Sequence, residues 1–363
     1  MLQSIKPISP LAMYMTLILS VGISNHVLLV PVLLETAKRD AWIGATAACI
    51  PVIVWAGILH VVLRKTGNES VNEWVERRHG KTVRRLMSAL FVVYLFAAAL
   101  ISLADTVMWT KVTYLPKTPK TVIAVVLTLL CYFGAKAGIR AIAIAAAMLL
   151  PGVVALGYFV ASANLQYKDY SLLTPLFTHG YMPSVRALLY TSGSVLELVI
   201  VLFMKHHVST ALRTRGMIAL GIIAVGLTVG PLTGAISVFG PFEAAEQRYP
   251  AFEQWRMVTL GKFISHLDFF SIYQWISGSF VRVSLMLYLL TEHAGRMRRN
   301  YVLSGGAVLM AAIVSVPFND VTLASIIANW YFPGISVLGA CFGLALFVLS
   351  LVPASGRKES AKT

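Results

Sequence analysis

Apolar runs separated by short charged or Pro/Gly-rich punctuation recur along the whole chain. A membrane-spanning helix needs about 20 consecutive apolar residues. On that scale the pattern predicts ten spans, at about 11–34, 41–63, 84–110, 121–137, 141–161, 184–204, 214–239, 266–291, 301–317 and 327–352. The runs are continuous rather than alternating at period two, which excludes a β-barrel. The fourth and fifth spans are joined by little more than Gly138 and Arg140, and NWYFPG (329–334) also reads as a separate interfacial turn before the last span. Ten spans divide as five plus five, and a five-span block repeated once must insert with opposite orientation. The expected fold is therefore an all-α polytopic membrane protein with two inverted five-helix repeats, about 11–161 and 184–352. Together they make one integral membrane domain over 1–363, with 353–363 as a short cytoplasmic tail.

In inverted-repeat architectures the first helix of each repeat is interrupted near the midplane, and its exposed backbone holds the solute. Spans one and six both carry the expected punctuation. Span one holds Gly22, Ser24, Asn25 and His26, then Pro31; span six holds Thr191, Ser192, Gly193 and Ser194, then Glu197. Glycine weakens a helix by about 1 kcal/mol relative to alanine, and Ser or Asn can bond backbone groups freed by unwinding. Close helix packing also uses small residues, so either cluster alone reads equally as a packing face. Two clusters at corresponding places favour a ligand site. His26 reads as a hydrogen-bonded core histidine or a proton carrier, and Glu197 as a functional acid or a neutral structural one. Additional candidates are Asp105 and Thr106 in span three, with Asp105 near the interface, and Trp275 and Arg282 in span eight. Arg282 is a basic residue well inside a span, so it must snorkel, meet water or pair with an acid, for which Glu197 is available.

Composition sharpens this picture. Of 363 residues 58% are hydrophobic and 12% charged, and mean hydropathy is +0.77. The net charge of +15 would fit nucleic acid, but the basic residues sit in short connections between spans, so they report orientation and not nucleic-acid binding. With the N-terminus in the cytoplasm, 19 of the 30 Lys and Arg residues fall in inside segments and 10 in outside ones, which places both termini in the cytoplasm. Cys49, Cys131 and Cys341 stand singly in apolar segments and read as buried packing residues. No HExxH, GxSxG, Walker A or clustered acid motif points to an enzyme, and no cofactor or metal is implied. Residues 68–85 place Val71, Trp74 and Val75 on one face of a short interfacial helix with arginines toward lipid phosphates, or form an ordinary charged linker. Residues 241–263 are too polar to span and long enough for two short helices over an outward-facing cavity.

The stretch 249–290, YPAFEQWRMVTLGKFISHLDFFSIYQWISGSFVRVSLMLYLL, resembles the B subunits of nutrient germinant receptors of endospore-forming bacteria, the GerAB-type spore germination proteins. Tyr249, Pro250, Phe252, Glu253, Arg256, Gly261, Phe263, Leu267, Asp268, Trp275, Phe280, Val281, Ser284 and Tyr288 carry the resemblance, and Pro31 to Glu35 with Asp40 to Trp42 is similar to the family's first outer loop. The resemblance implies a fold of the amino acid-polyamine-organocation (APC) superfamily. It implies a receptor subunit in the spore inner membrane that senses a small nutrient such as an amino acid, partnered by a germination lipoprotein and a larger membrane subunit. A proton-coupled transporter on the same architecture is the alternative. Two departures stand out. Gly193 lies further from Glu197 than the family's Gly-aromatic-Glu, and Asn25-His26 is unusually polar for span one.

Overall fold

The computed structural model describes residues 7–259, 261, 264–294 and 298–352. The expected tail 353–363, Phe263 of the resemblance, and the basic residues Lys6, Lys262, Arg296, Arg357, Lys358 and Lys362 lie outside them. Ten helical bodies follow one another along the chain, at 10–37, 41–66, 81–113, 120–137, 139–163, 182–207, 214–239, 270–292, 299–315 and 320–351, here called the first to the tenth helix. Among the described residues seven helical stretches are long and apolar enough to cross a membrane; one of them, Pro10–Thr66, contains both the first and second helices. NWYFPG is not a separate turn. Asn329 to Tyr331 continue a helix begun at Asp320, and Phe332–Leu351 follows directly.

Local chemistry sets the boundaries. Ser9 accepts from the Ala12 N–H and Pro10 occupies the first turn, where its missing N–H costs nothing. The fourth helix turns into the fifth at Gly138, whose φ of +92° is disfavoured for a residue with a Cβ. Ser70 and Glu73 form a reciprocal capping box that starts the short helix Val71–His79 between the second and third helices. In the second half, the seventh and eighth helices are joined by Pro241–Glu246 and Pro250–Arg256. These two connections lie at opposite ends of the tenth helix. His79 Nε2 is 3.1 Å from the Leu349 carbonyl at its end, whereas Arg248 Nε donates at 3.0 Å to Asp320 at its start. Equivalent elements of the two halves thus face opposite ways.

Two expectations about packing change. Val71, Trp74 and Val75 are buried against protein, so the apolar face of this short helix is not a lipid-facing surface. The cysteines are all free, but only Cys131 is buried; Cys49 is half-buried and Cys341 exposed. An apolar helix in a bilayer can turn such a residue to lipid without penalty, so apolar context did not report burial.

Close helix approach rests on particular glycines. A Cβ on Gly44 of the second helix would overlap the Ser184 carbonyl and Ala187 of the sixth, and one on Gly343 would overlap the Trp55 ring. Gly57, by contrast, faces open space. Overpacking a tight contact costs about 1–3 kcal/mol. Gly44→Val is expected to lower the thermal unfolding midpoint of the purified protein by several degrees, with Gly57→Val close to wild type.

Candidate functional site

The centre of the bundle holds a buried ion pair. Arg282 of the eighth helix is 0% exposed and Glu197 of the sixth 4%. A guanidinium carries five N–H donors in a fixed plane, and all five are used. Nε donates to Ser102 Oγ of the third helix at 2.6 Å. One terminal nitrogen donates to the Ser20 carbonyl of the first helix at 3.0 Å and to Glu197 Oε1. The other donates to Glu197 Oε2 at 3.0 Å and to Tyr331 Oη of the tenth helix at 3.1 Å. Ser102 in turn donates to the Ala98 carbonyl at 2.8 Å. Ser24 lies beside the Tyr331 hydroxyl. Five helices therefore converge on one cation.

The expected interruptions of the first and sixth helices take a different form. Neither segment is unwound. Ile23–Leu28 is a π-helical segment that continues into Leu29–Ala37, and Leu196–Ile200 is a 3₁₀ segment carrying Glu197. A change of helical pitch keeps most backbone groups bonded at a depth where unwinding would strand them. Asn25 uses its side chain to brace the π segment. Its Nδ2 donates to the Ala224 carbonyl of the seventh helix at 3.1 Å, while Thr228 Oγ1 donates to the Asn25 carbonyl at 3.4 Å. His26 is half-buried against the Leu227 backbone. Gly22 meets only Leu227 at ordinary contact distance, whereas a Cβ on Gly193 would overlap Ser336 of the tenth helix. Ser194 donates to the Thr191 carbonyl at 3.0 Å. Around the two irregular segments, four buried polar atoms at 20–25 and 191–192 have no partner: Ser20 Oγ, Asn25 Oδ1, Thr191 Oγ1 and Ser192 Oγ.

The additional candidates fall on a second feature. On the third helix Ser102, Thr106 and Trp109 share one face, and on the eighth so do Arg282, Ser279 and Trp275. They meet in antiparallel register. Ser102 accepts from Arg282, Thr106 Oγ1 lies 2.6 Å from Ser279 Oγ, and Trp109 stacks on Trp275 with ring centroids 4.2 Å apart. Asp105 is enclosed by protein. It is 1% exposed, and Oδ1 accepts from Arg248 at 2.6 Å. Arg248 also donates to Asp320, which accepts from Tyr249 at 3.1 Å. Burial works against the Arg248 charge, but Asp105, with Tyr249 and Asp320, outweighs it and holds its pKa above the ordinary value. Burial first, and the neighbouring Asp105 charge next, push the Tyr249 phenol well up. Arg248 thus ties the connection between the seventh and eighth helices to the third and tenth, and the adjacent Tyr249 ring packs against Trp275 at 5.7 Å.

Sequence reasoning named Glu197 as a partner available to Arg282, and the structure joins them. It named Ser102 among the polar residues of the third span without giving it a role, and it missed Ser20, Tyr331 and Arg248. A signal existed for Ser102: the spacing of polar and aromatic residues at 102, 106 and 109 matches that at 275, 279 and 282. Tyr331 carried no such signal, because it lay in a stretch read as a turn.

Removing one member of a buried ion pair costs about 3–5 kcal/mol, because the other charge is left unpaired, whereas apolar replacement of both is often near neutral. Arg282→Met and Glu197→Gln are each expected to lower thermal stability strongly. The double variant Glu197→Leu/Arg282→Met is expected to melt above both single variants, as scanning fluorimetry in detergent would read.

Comparison with known proteins agrees with this architecture. A family model described as "Spore germination protein" matches residues 7–296. Spore germination protein XB of Bacillus anthracis is 36% identical over 350 residues, covering 96% of this chain and 98% of that protein. Spore germination protein KB of Bacillus subtilis is 25% identical over 302 residues, covering 78% and 79%. Among solved structures, MhsT in complex with L-phenylalanine aligns with a TM-score of 0.68 at 12% identity, covering 95% of this chain and 96% of that one. A Na+-coupled sialic acid symporter aligns at 0.52 and 10% identity, covering 94% and 85%. At 12% and 10% identity these likenesses show a shared fold. By the extent of these matches, the chain belongs to the spore germination protein family of integral membrane proteins.

Proposed function

We propose that the protein is the nutrient-sensing membrane subunit of a germinant receptor, binding a small molecule of the amino acid class between its first and sixth helices. The observation that carries this reading is the set of unpartnered buried atoms on those helices: Ser20 Oγ, Asn25 Oδ1, Thr191 Oγ1 and Ser192 Oγ. A buried polar group left unsatisfied costs about 1–3 kcal/mol. A ligand carrying both donors and acceptors repays that cost where an apolar solute would not. The hydroxyls suit an ammonium or carboxylate, and Asn25 Oδ1 suits a donor. All five Arg282 donors are engaged, so Arg282 fixes the frame, whereas each Glu197 oxygen accepts a single bond and keeps acceptor capacity. MhsT, of the same fold, was solved with L-phenylalanine, which supports the ligand class.

Binding need not mean transport. A ligand that prefers one of two conformations shifts their populations, and partner subunits, a germination lipoprotein and a larger membrane protein, would read that shift. The Arg248 tie to Asp105 and Asp320 would close the outer path over the bound nutrient. In this reading both termini face the cytoplasm, as the distribution of basic residues requires.

Thr191→Val and Ser20→Ala each remove one hydroxyl. Losing a hydrogen bond to a charged ligand group costs about 1.5–3 kcal/mol, so the nutrient concentration for half-maximal germination is expected to rise about tenfold or more. An unchanged dose-response, with the variant present in the spore membrane, would sink the site. Uptake into proteoliposomes that depends on a pH gradient would replace sensing with transport. For orientation, a cysteine placed at residue 3 in a variant lacking the native cysteines is expected to react with an impermeant maleimide only after permeabilisation.

A further inference from the structure

At the end of the bundle that carries Val71–His79, a group of metal-ligating side chains stands apart from the central site. His206 and His207 end the sixth helix on the 3₁₀ turn Lys205–His207, and Glu292 ends the eighth. His207 Nε2 is 2.5 Å from Glu292 Oε1, and His206 Nε2 is 3.5 Å from the same oxygen. The three donor atoms all lie within 4.8 Å of one another. The two imidazole rings are 3.9 Å apart, and the His207 ring sits edge-on to Tyr288 at 5.8 Å. The His207 side chain is 9% exposed and that of Glu292 18%, so two of the three donors are already largely desolvated.

We propose that His206, His207 and Glu292 form a binding site for a divalent transition-metal ion of the zinc class. Hydrogen bonding accounts for the cluster incompletely. Both rings aim at one carboxylate oxygen, and Nδ1 of His206 stays buried without a partner. A tetrahedral ion with bonds of about 2.0–2.1 Å needs its ligand atoms about 3.4 Å apart. The observed separations bracket that value, and small rotations of the ring and carboxylate meet it. Imidazole with carboxylate suits zinc, cobalt and nickel rather than calcium or magnesium, and three protein donors leave a fourth position for water.

Two cations among the described residues nearby are otherwise engaged. Lys205 donates to the Leu63 carbonyl at 2.7 Å, and Arg299 lies over the Tyr288 ring at 5.0 Å. The location gives the ion a mechanical role. Ile8 N–H donates to the His207 carbonyl at 2.9 Å and the Ser209 N–H donates back to Ile8 at 2.9 Å. A bound ion would therefore cross-link the sixth and eighth helices beside the point where the N-terminal segment is pinned. This site stands whether or not the nutrient reading above holds.

The test uses the full-length protein without a histidine tag, in nanodiscs. Zn²⁺ titrated by calorimetry is expected to bind at one equivalent, and Co²⁺ to give tetrahedral d–d absorption. Even losing an outer-shell partner weakens metal binding about 10–100-fold. His206→Gln and Glu292→Gln are therefore expected to weaken Zn²⁺ binding by at least about 100-fold, and to abolish the Zn²⁺-dependent rise in melting temperature. Wild-type protein that binds no Zn²⁺ saturably, or folded variants that bind it equally well, would overturn the assignment. A second measurement needs no variant. Zn²⁺ is expected to protect His206 and His207 from diethyl pyrocarbonate, read by mass spectrometry, and equal modification with and without Zn²⁺ would also overturn it.

Discussion

A charge buried among helices must be satisfied completely or the structure around it fails, and Arg282 is that charge. Its solvation is replaced by five acceptors from the first, third, sixth and tenth helices. Burying an ion costs several kcal/mol even after relaxation, so the arrangement persists only while all those helices hold station. Apolar packing against lipid gives no comparable direction, because lipid tails are as apolar as the side chains they touch. The guanidinium sets which faces of the bundle turn inward, and the polar stripe shared by the third and eighth helices extends that specification to the stacked Trp109 and Trp275.

Around this fixed point the candidate ligand groups differ in kind. Every Arg282 donor is used, and Glu197 accepts one bond on each oxygen, whereas the hydroxyls of Ser20, Thr191 and Ser192 are buried without partners. A fully satisfied donor set marks Arg282 as part of the frame. Gly193 belongs with the frame, since its missing side chain admits Ser336. Asn25 belongs to both: its nitrogen braces the seventh helix, while its oxygen remains open.

Much of the fold was legible because a bilayer imposes length and continuity on its helices. The seventh helix, Thr214–Phe239, occupies the predicted interval 214–239. Polar punctuation at 22–26 overlaps a π segment, whereas Thr191–Ser194 lies in regular α-helix just ahead of the 3₁₀ segment Leu196–Ile200. Sequence could not tell unwinding from a change of pitch, because Gly, Ser and Asn permit both. The pairing of Asp105 was hidden for a related reason, because its partner Arg248 comes from a connection 143 residues away. Tyr331 failed for another: it lay in a stretch that also read as a turn, whereas the helix begun at Asp320 runs through a π segment that accommodates Pro333 within the helix.

The π segments carry a consequence for motion. A π turn holds one residue more than an α turn, so resolving it into α-helix rotates everything beyond it by about 100°, the angle per residue of a 3.6-residue turn. Ile23–Leu28 begins next to Ser24, and Ile327–Tyr331 ends on an acceptor of the guanidinium. Re-phasing the tenth helix would swing Tyr331 away and leave one Arg282 donor unmet. Rotational register and charge satisfaction are therefore coupled, so half-turned positions carry the full penalty of both. Such a bundle resists gradual adjustment and favours all-or-none change.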